Sequence, residues 1–198
     1  HWVNSITTPY GQTAFEISSV VGVYDRAIRI THPGSLGQEV YMAIDGVASS
    51  IPALFDASQI PVATPFATPS YPYGTMDANH RNSANTFYWD SEQYSALGQP
   101  DLSQFAWSEF RRGRIRHWLK GPPLWSPPAP DTLGHEQAPS PDGTANGTLQ
   151  GVVTWYDYTG KQYSSPDYCG DEVLPAVVAR RQPDGTTWWA WTQRNDLG

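Results

Sequence analysis

Apolar and polar residues alternate with period two over much of this chain, and stretches rich in proline and small residues interrupt the pattern. In ITTPYGQTAFEI, residues 6–17, a Pro-Tyr-Gly corner separates two such runs. Beyond the corner Thr13, Phe15 and Ile17 fall on one side and Gln12, Ala14 and Glu16 on the other. Period two puts successive side chains on opposite faces of a strand. The next run, VYDRAIRI, sets Ile28 and Ile30 against Arg29 and ends at the breaker pair Pro33-Gly34. QEVYMAI then turns Val40, Met42 and Ile44 one way and Glu39, Tyr41 and Ala43 the other, and Asp45-Gly46 closes it. Residues 1–50 therefore predict a meander of about four strands. Links this short favour antiparallel pairing.

Residues 51–84 are rich in proline and small side chains and predict an ordered excursion or a flexible loop, since proline removes a backbone donor and fixes φ. Residues 85–120 hold the helix candidates. DSEQYSALG offers Asp90 or Ser91 as a cap and Gly98 as a stop; PDLSQFAWSEFRRG offers Asp101 or Ser103 and ends at Gly113. RIRHWLK then returns to period two, with Ile115, His117 and Leu119 opposite Arg114, Arg116 and Trp118. Residues 121–148 read as a second Pro-rich loop. From residue 149 the strand pattern resumes, and Pro183-Asp184-Gly185 marks a turn between two alternating runs. The fold class expected is all-β: mainly antiparallel β-hairpins in a single unit over residues 1–198, with one or two short helical insertions and Pro-rich loops.

Composition agrees with short strands and many turns. Among 198 residues there are 18 Pro and 17 Gly, aromatics reach 13%, and only 16% are charged. The net charge of −7 argues against a general nucleic-acid or anionic-membrane binder. No run approaches the roughly 20 apolar residues of a membrane span. Cys169 is the single cysteine, so no internal disulfide forms.

AIRITHPGSLGQEVYMAIDG and VVARRQPDGTTWWAWTQRNDLG echo one another: strand, X-Pro-Gly or Pro-Asp-Gly turn, strand, closing turn. A strand–turn–strand unit used twice is a feature of modular β arrays. In order along the chain, ITTPYGQTAFEI, RAIRITHPGSLGQEVYM, NTFYWD, RGRIRHWL, TWYDYTGK and RRQPDGTTWWAWTQRNDLG resemble a stretch of a bacterial Rhs/YD-repeat protein. The Tyr-Asp and Gly punctuation of such repeats is matched by Tyr24-Asp25, Tyr156-Asp157 and Asp196 to Gly198. The resemblance covers most of the chain, least well in the two Pro-rich segments. It implies β-hairpin arrays that spiral into a shell enclosing a payload, often a toxin, at or outside the bacterial cell surface. The family's self-cleaving aspartate site has no match here, so no catalytic residue carries over, and this chain is expected to be structural and not an enzyme. It is also far shorter than a complete shell. Protein partners are expected to be further repeats of the same or a parent chain, or a second copy, because an isolated array leaves sheet edges exposed.

Few residues compete with that reading. Trp188, Trp189 and Trp191, with Trp155 and Tyr156, form the strongest binding candidate. Period two places Trp189 and Trp191 on one face and Trp188 on the other. Rows of exposed rings stack on sugars or anchor a protein, and large rings also pack a thin sheet. A secreted carbohydrate-binding module is therefore the alternative function. A third reading uses His1: a terminal amine and ring nitrogen, joined by His32, His80, His117 or His135, would suit copper in a histidine brace. An incidental terminal histidine is the plainer explanation, and no cofactor or metal is expected. The histidines lack zinc-site spacing. The acid pairs Asp90/Glu92 and Asp171/Glu172 suit caps and solvated loops, and Cys169 sits among acids that disfavour its thiolate. Arg111, Arg112, Arg114, Arg116 and Lys120 make the one basic cluster, which fits either an acidic partner or cross-strand pairs.

Overall fold

Each period-two run becomes a strand, and each strand pairs with the next one in the chain. The computed structural model describes residues 2–19, 25–34, 37–44, 84–98, 101–120, 130–142, 149–161, 169–170, 172–182 and 184–194. Ten strands form one antiparallel sheet in chain order: β1 (Ser5–Thr8), β2 (Gly11–Ser18), β3 (Arg26–Thr31), β4 (Gln38–Ile44), β5 (Asn85–Trp89), β6 (Arg114–Lys120), β7 (Pro130–Gln137), β8 (Val153–Asp157), β9 (Val177–Arg181) and β10 (Thr187–Trp191). The expected meander at the N-terminus is β1 to β4. Gly11 makes the β1–β2 corner with φ +128°, and a Cβ there would collide with Pro33 of the β3–β4 turn. Only glycine lets the two turns come that close.

Two short helices, α1 (Ser91–Ala96) and α2 (Trp107–Arg112), lie between β5 and β6. α1 follows the expected boundaries. The Asp90 carboxylate accepts from the Gln93 N–H at 2.8 Å, the Gln93 side chain accepts from the Asp90 N–H at 3.1 Å, and Gly98 leaves with φ +66°. That reciprocal pair is a capping box. The second expected helix is divided. Asp101 caps a single 3-10 turn at Leu102–Gln104, Phe105 is extended, and α2 starts only at Trp107, where Glu109 accepts from the Ala106 N–H at 2.7 Å. The break turns Phe105 into the core, edge-on to Trp89 at 5.3 Å between ring centres.

The sheet has two unlike faces. One is covered at its centre: Val40, Met42 and Ile44 of β4, Phe87 and Trp89 of β5, and Ile115 of β6 are at most 2% exposed beneath Tyr94, Leu102, Phe105 and Phe110 of the helical insertion. The core continues sideways through Val153 and Trp155 to Ala179. Over β2 to β4 the opposite face is open, with Ile17, Ile28 and Tyr41 each about two-fifths exposed. An antiparallel sheet can leave one face to water.

One strand departs from the sequence reading. Residues 121–148 were expected to be loop, yet β7 runs through the middle of the sheet between β6 and β8. Its buried side chains include Thr132, His135 and Gln137, so the apolar alternation that marks the other strands is missing. Gly134 sits where the pairing slips between His117↔His135 and Trp118↔Leu133, and a Cβ there would press on Leu119 and His117. β7 is held by its neighbours and not by its own pattern.

Candidate functional site

β10 ends the sheet, and the turn before it is built from Asp184. Its carboxylate accepts from the Thr186 N–H at 2.8 Å and hydroxyl at 2.7 Å, and Gly185 has φ +84°. Those charge-assisted bonds hold the Asp184 carboxyl below its ordinary range. The Gln182 N–H reaches the Thr186 carbonyl at 2.8 Å, and the Thr192 N–H reaches the Ala176 carbonyl at 2.8 Å. Thr186 and Thr192 therefore direct backbone groups toward β9. Period two then points the N–H groups of Thr187, Trp189 and Trp191 outward. At the opposite end, the Phe15 N–H bonds the Asn4 carbonyl at 2.8 Å. The same parity leaves Ser5 and Thr7 facing out from β1. Among the described residues, β1 and β10 each pair on one side only.

The four tryptophans singled out in the sequence separate. Trp188, Trp189 and Trp191 are 49%, 38% and 51% exposed on β10. Trp189 and Trp191 stand opposite Ala179 and Val177 on the side of the covered face, beyond the reach of the helices. Trp188 lies on the open face, with the Arg180 guanidinium 5.9 Å from its ring centre. Trp155 is only 4% exposed and packs on His135 at 4.9 Å, so it is core and presents no ring to a ligand.

The remaining candidates are largely accounted for by packing. His117 and His135 stack at 4.9 Å inside the sheet, and His117 Nδ1 lies 3.2 Å from Asn85 Oδ1. His32 bonds Glu39 at 3.1 Å. His1 and His80 lie outside the described residues, and so does Asp171; among the described residues no group of three metal-ligating side chains forms. Asp90 is the α1 cap, and Cys169 is a buried thiol. Within the basic cluster, Arg111 lies over Trp107 at 5.7 Å, buried Arg112 bonds the Ala96 carbonyl at 3.1 Å, and Arg116 Nε donates to Glu136 at 2.6 Å. Arg114 points to the open face.

One polar cluster went unseen in the sequence. Lys161 Nζ lies 3.9 Å from Asp157 Oδ1, both side chains about one-tenth exposed, beside a cleft of about 460 Å³ next to Trp191 and Arg194. Burial pushes the Lys161 amine down, while Asp157 pulls it up. The Tyr158 hydroxyl donates to the Leu133 carbonyl, and burial pushes that phenol well up. These groups tie the turn after β8 to the sheet. TWYDYTGK, with its Tyr-Asp and Gly-Lys, is their only sequence trace. Comparison with family models, curated proteins and solved structures finds no match for this chain.

Proposed function

We propose that the chain is a structural and interaction segment of an Rhs/YD-repeat protein, a length of β shell at or outside the bacterial cell surface that encloses or presents a payload. It works by extending a sheet and not by catalysing a reaction. The observation that carries this reading is the pair of edges: ten strands run in chain order, and both end strands turn backbone N–H groups outward. Each such edge is a template for another strand. The echoed segments support it too. Both are hairpins in which the residue before the proline closes the turn, His32 N–H to the Gly37 carbonyl at 3.1 Å and Gln182 N–H to the Thr186 carbonyl at 2.8 Å. The partners of the edges are further repeats of a parent chain or a second copy.

The exposed pair Trp189 and Trp191 on one side of β10 favours a second reading, a platform for carbohydrate. One experiment separates the two. Sedimentation velocity over a hundredfold concentration range is expected to show assembly, and Trp189→Lys or Trp189→Pro is expected to abolish it, because neither change removes a backbone bond to β9. A strictly monomeric wild type would sink edge pairing. Retention of that monomer on insoluble polysaccharide, lost in Trp189→Ala, would establish the second reading in its place.

A further inference from the structure

The open face carries a notch that neither edge uses. Arg26, Ala43, Thr86 and Arg116 stand directly opposite one another across β3, β4, β5 and β6. The two middle residues are small, so they form a floor between two guanidinium-bearing strands. The next row along the strands, Ile28, Tyr41, Tyr88 and Arg114, makes one wall. Its two tyrosine rings lie 4.5 Å apart. The hollow is open to solvent on one side and measures about 420 Å³.

Three arginines around one hollow is an unusual concentration in a chain of net charge −7. Arg26 and Arg114 are exposed; Arg26 Nη1 donates to the Asp25 carbonyl at 2.8 Å, and Arg114 makes no ion pair among the described residues. Arg116 already holds one carboxylate, Glu136, through Nε. A guanidinium has five N–H donors, so its terminal nitrogens remain for a second anion. Glu136 stands directly opposite Arg116 on β7, so the row ends in an ion pair of its own. The wall row continues through Ile28 to Ile17, both about two-fifths exposed, which gives an apolar track beside the charges.

We propose that this notch binds the carboxylate side chains of an acidic peptide segment, whose apolar residues lie along Ile28 and Ile17. The peptide lies on the face of the sheet and adds no strand to it, so the site is independent of edge pairing. The negative field of the whole chain disfavours long polyanions, while a short carboxylate-bearing segment needs only the local guanidiniums. The Tyr41 and Tyr88 rings supply flat contact area at little cost in side-chain freedom.

Fluorescence anisotropy of a labelled octapeptide of alternating Glu and Val, added to the 198-residue chain, tests this. Saturable binding that weakens with salt is expected, and none for the same peptide with Gln in place of Glu. Arg26→Ala with Arg114→Ala is expected to weaken binding about tenfold. Ala43→Leu, which fills the floor and keeps every charge, is expected to do the same. Arg111→Ala, on the helical insertion, is expected to leave it unchanged. Equal binding by the Ala43→Leu protein, or an equal loss in Arg111→Ala, would reduce the effect to diffuse surface charge and overturn the site. Competition by inorganic polyphosphate as strong as by unlabelled peptide would overturn the choice of carboxylates. Matching circular dichroism spectra establish that the variants fold.

Discussion

β2–β3 and β4–β6 alternate with the same period, yet their large apolar residues stand on opposite sides of the sheet. In β4 to β6 the large apolar residues, Met42, Phe87, Trp89 and Ile115, share the covered face and are at most 2% exposed. In β2 and β3 the covered side carries Glu16 and Arg29, joined at 2.7 Å, while Phe15, Ile17, Ile28 and Ile30 lie on the open side. The pattern of one strand fixes which residues travel together. It does not fix which set is interior, because that depends on what lies above. The helical insertion lies over β4–β6, and its aromatic rings end the exposure of one face there. β10 repeats the lesson: Trp189 and Trp191 belong to the covered side but remain exposed past the end of the cover.

The largest test of this contrast is truncation at matched registers. Trp89→Ala removes a fully buried ring and its Nε1 bond to the Glu109 carbonyl at 2.9 Å. It is expected to cost about 3–5 kcal/mol in urea denaturation. Ile28→Ala, on the open face, is expected to cost no more than about 0.5 kcal/mol. A loss at Ile28 equal to that at Trp89 would mean that the open face is covered too.

Alkaline pH gives a smaller effect, carried by Tyr88 of β5 and by Tyr156 and Tyr158 on and just after β8. Desolvation, with Glu39 second, pushes the Tyr88 phenol up to about 12, and desolvation also raises Tyr156 and Tyr158. In the unfolded chain a phenol ionises near about 10. Above that the unfolded state loses protons that the folded state keeps. The stability these groups contribute is thus complete below about pH 10, and Tyr88's share is lost as pH rises toward about 12. Denaturation midpoints should fall over that window, and Tyr88→Phe should shallow the fall while changing little at pH 7. An unchanged alkaline slope in Tyr88→Phe would refute the assignment.

The smallest effect belongs to the edge. The Asp184 carboxyl is held low by Thr186, so its contribution is present above the unfolded carboxyl value and disappears as pH falls through the folded one. Asp184→Ala should speed amide exchange in β10 at neutral pH and leave β4 to β6 untouched. Faster exchange across the whole sheet would show that the edge and the centre unfold as one unit.

The sequence by itself determined the all-β class, the four N-terminal strands, the capped α1 and the turn before β10. Each is local: period two, a capping box within four residues, or a glycine at positive φ. The tertiary structure decided what depends on neighbours. β7 was illegible because its buried positions hold His135 and Gln137, which only β6 and β8 make acceptable in a core. The second helix is divided where extended Phe105 sets its ring edge-on to Trp89, a contact between segments that no local pattern carries. Trp155 and Trp189 look alike in sequence and stand on the same side of the sheet, two strands apart. One is interior and the other is at the edge, since strand order across the sheet, and not the residue, sets the distance to water. The notch is the same kind of fact: Arg26 and Arg116 are 90 positions apart in the chain and are brought into one row by register alone.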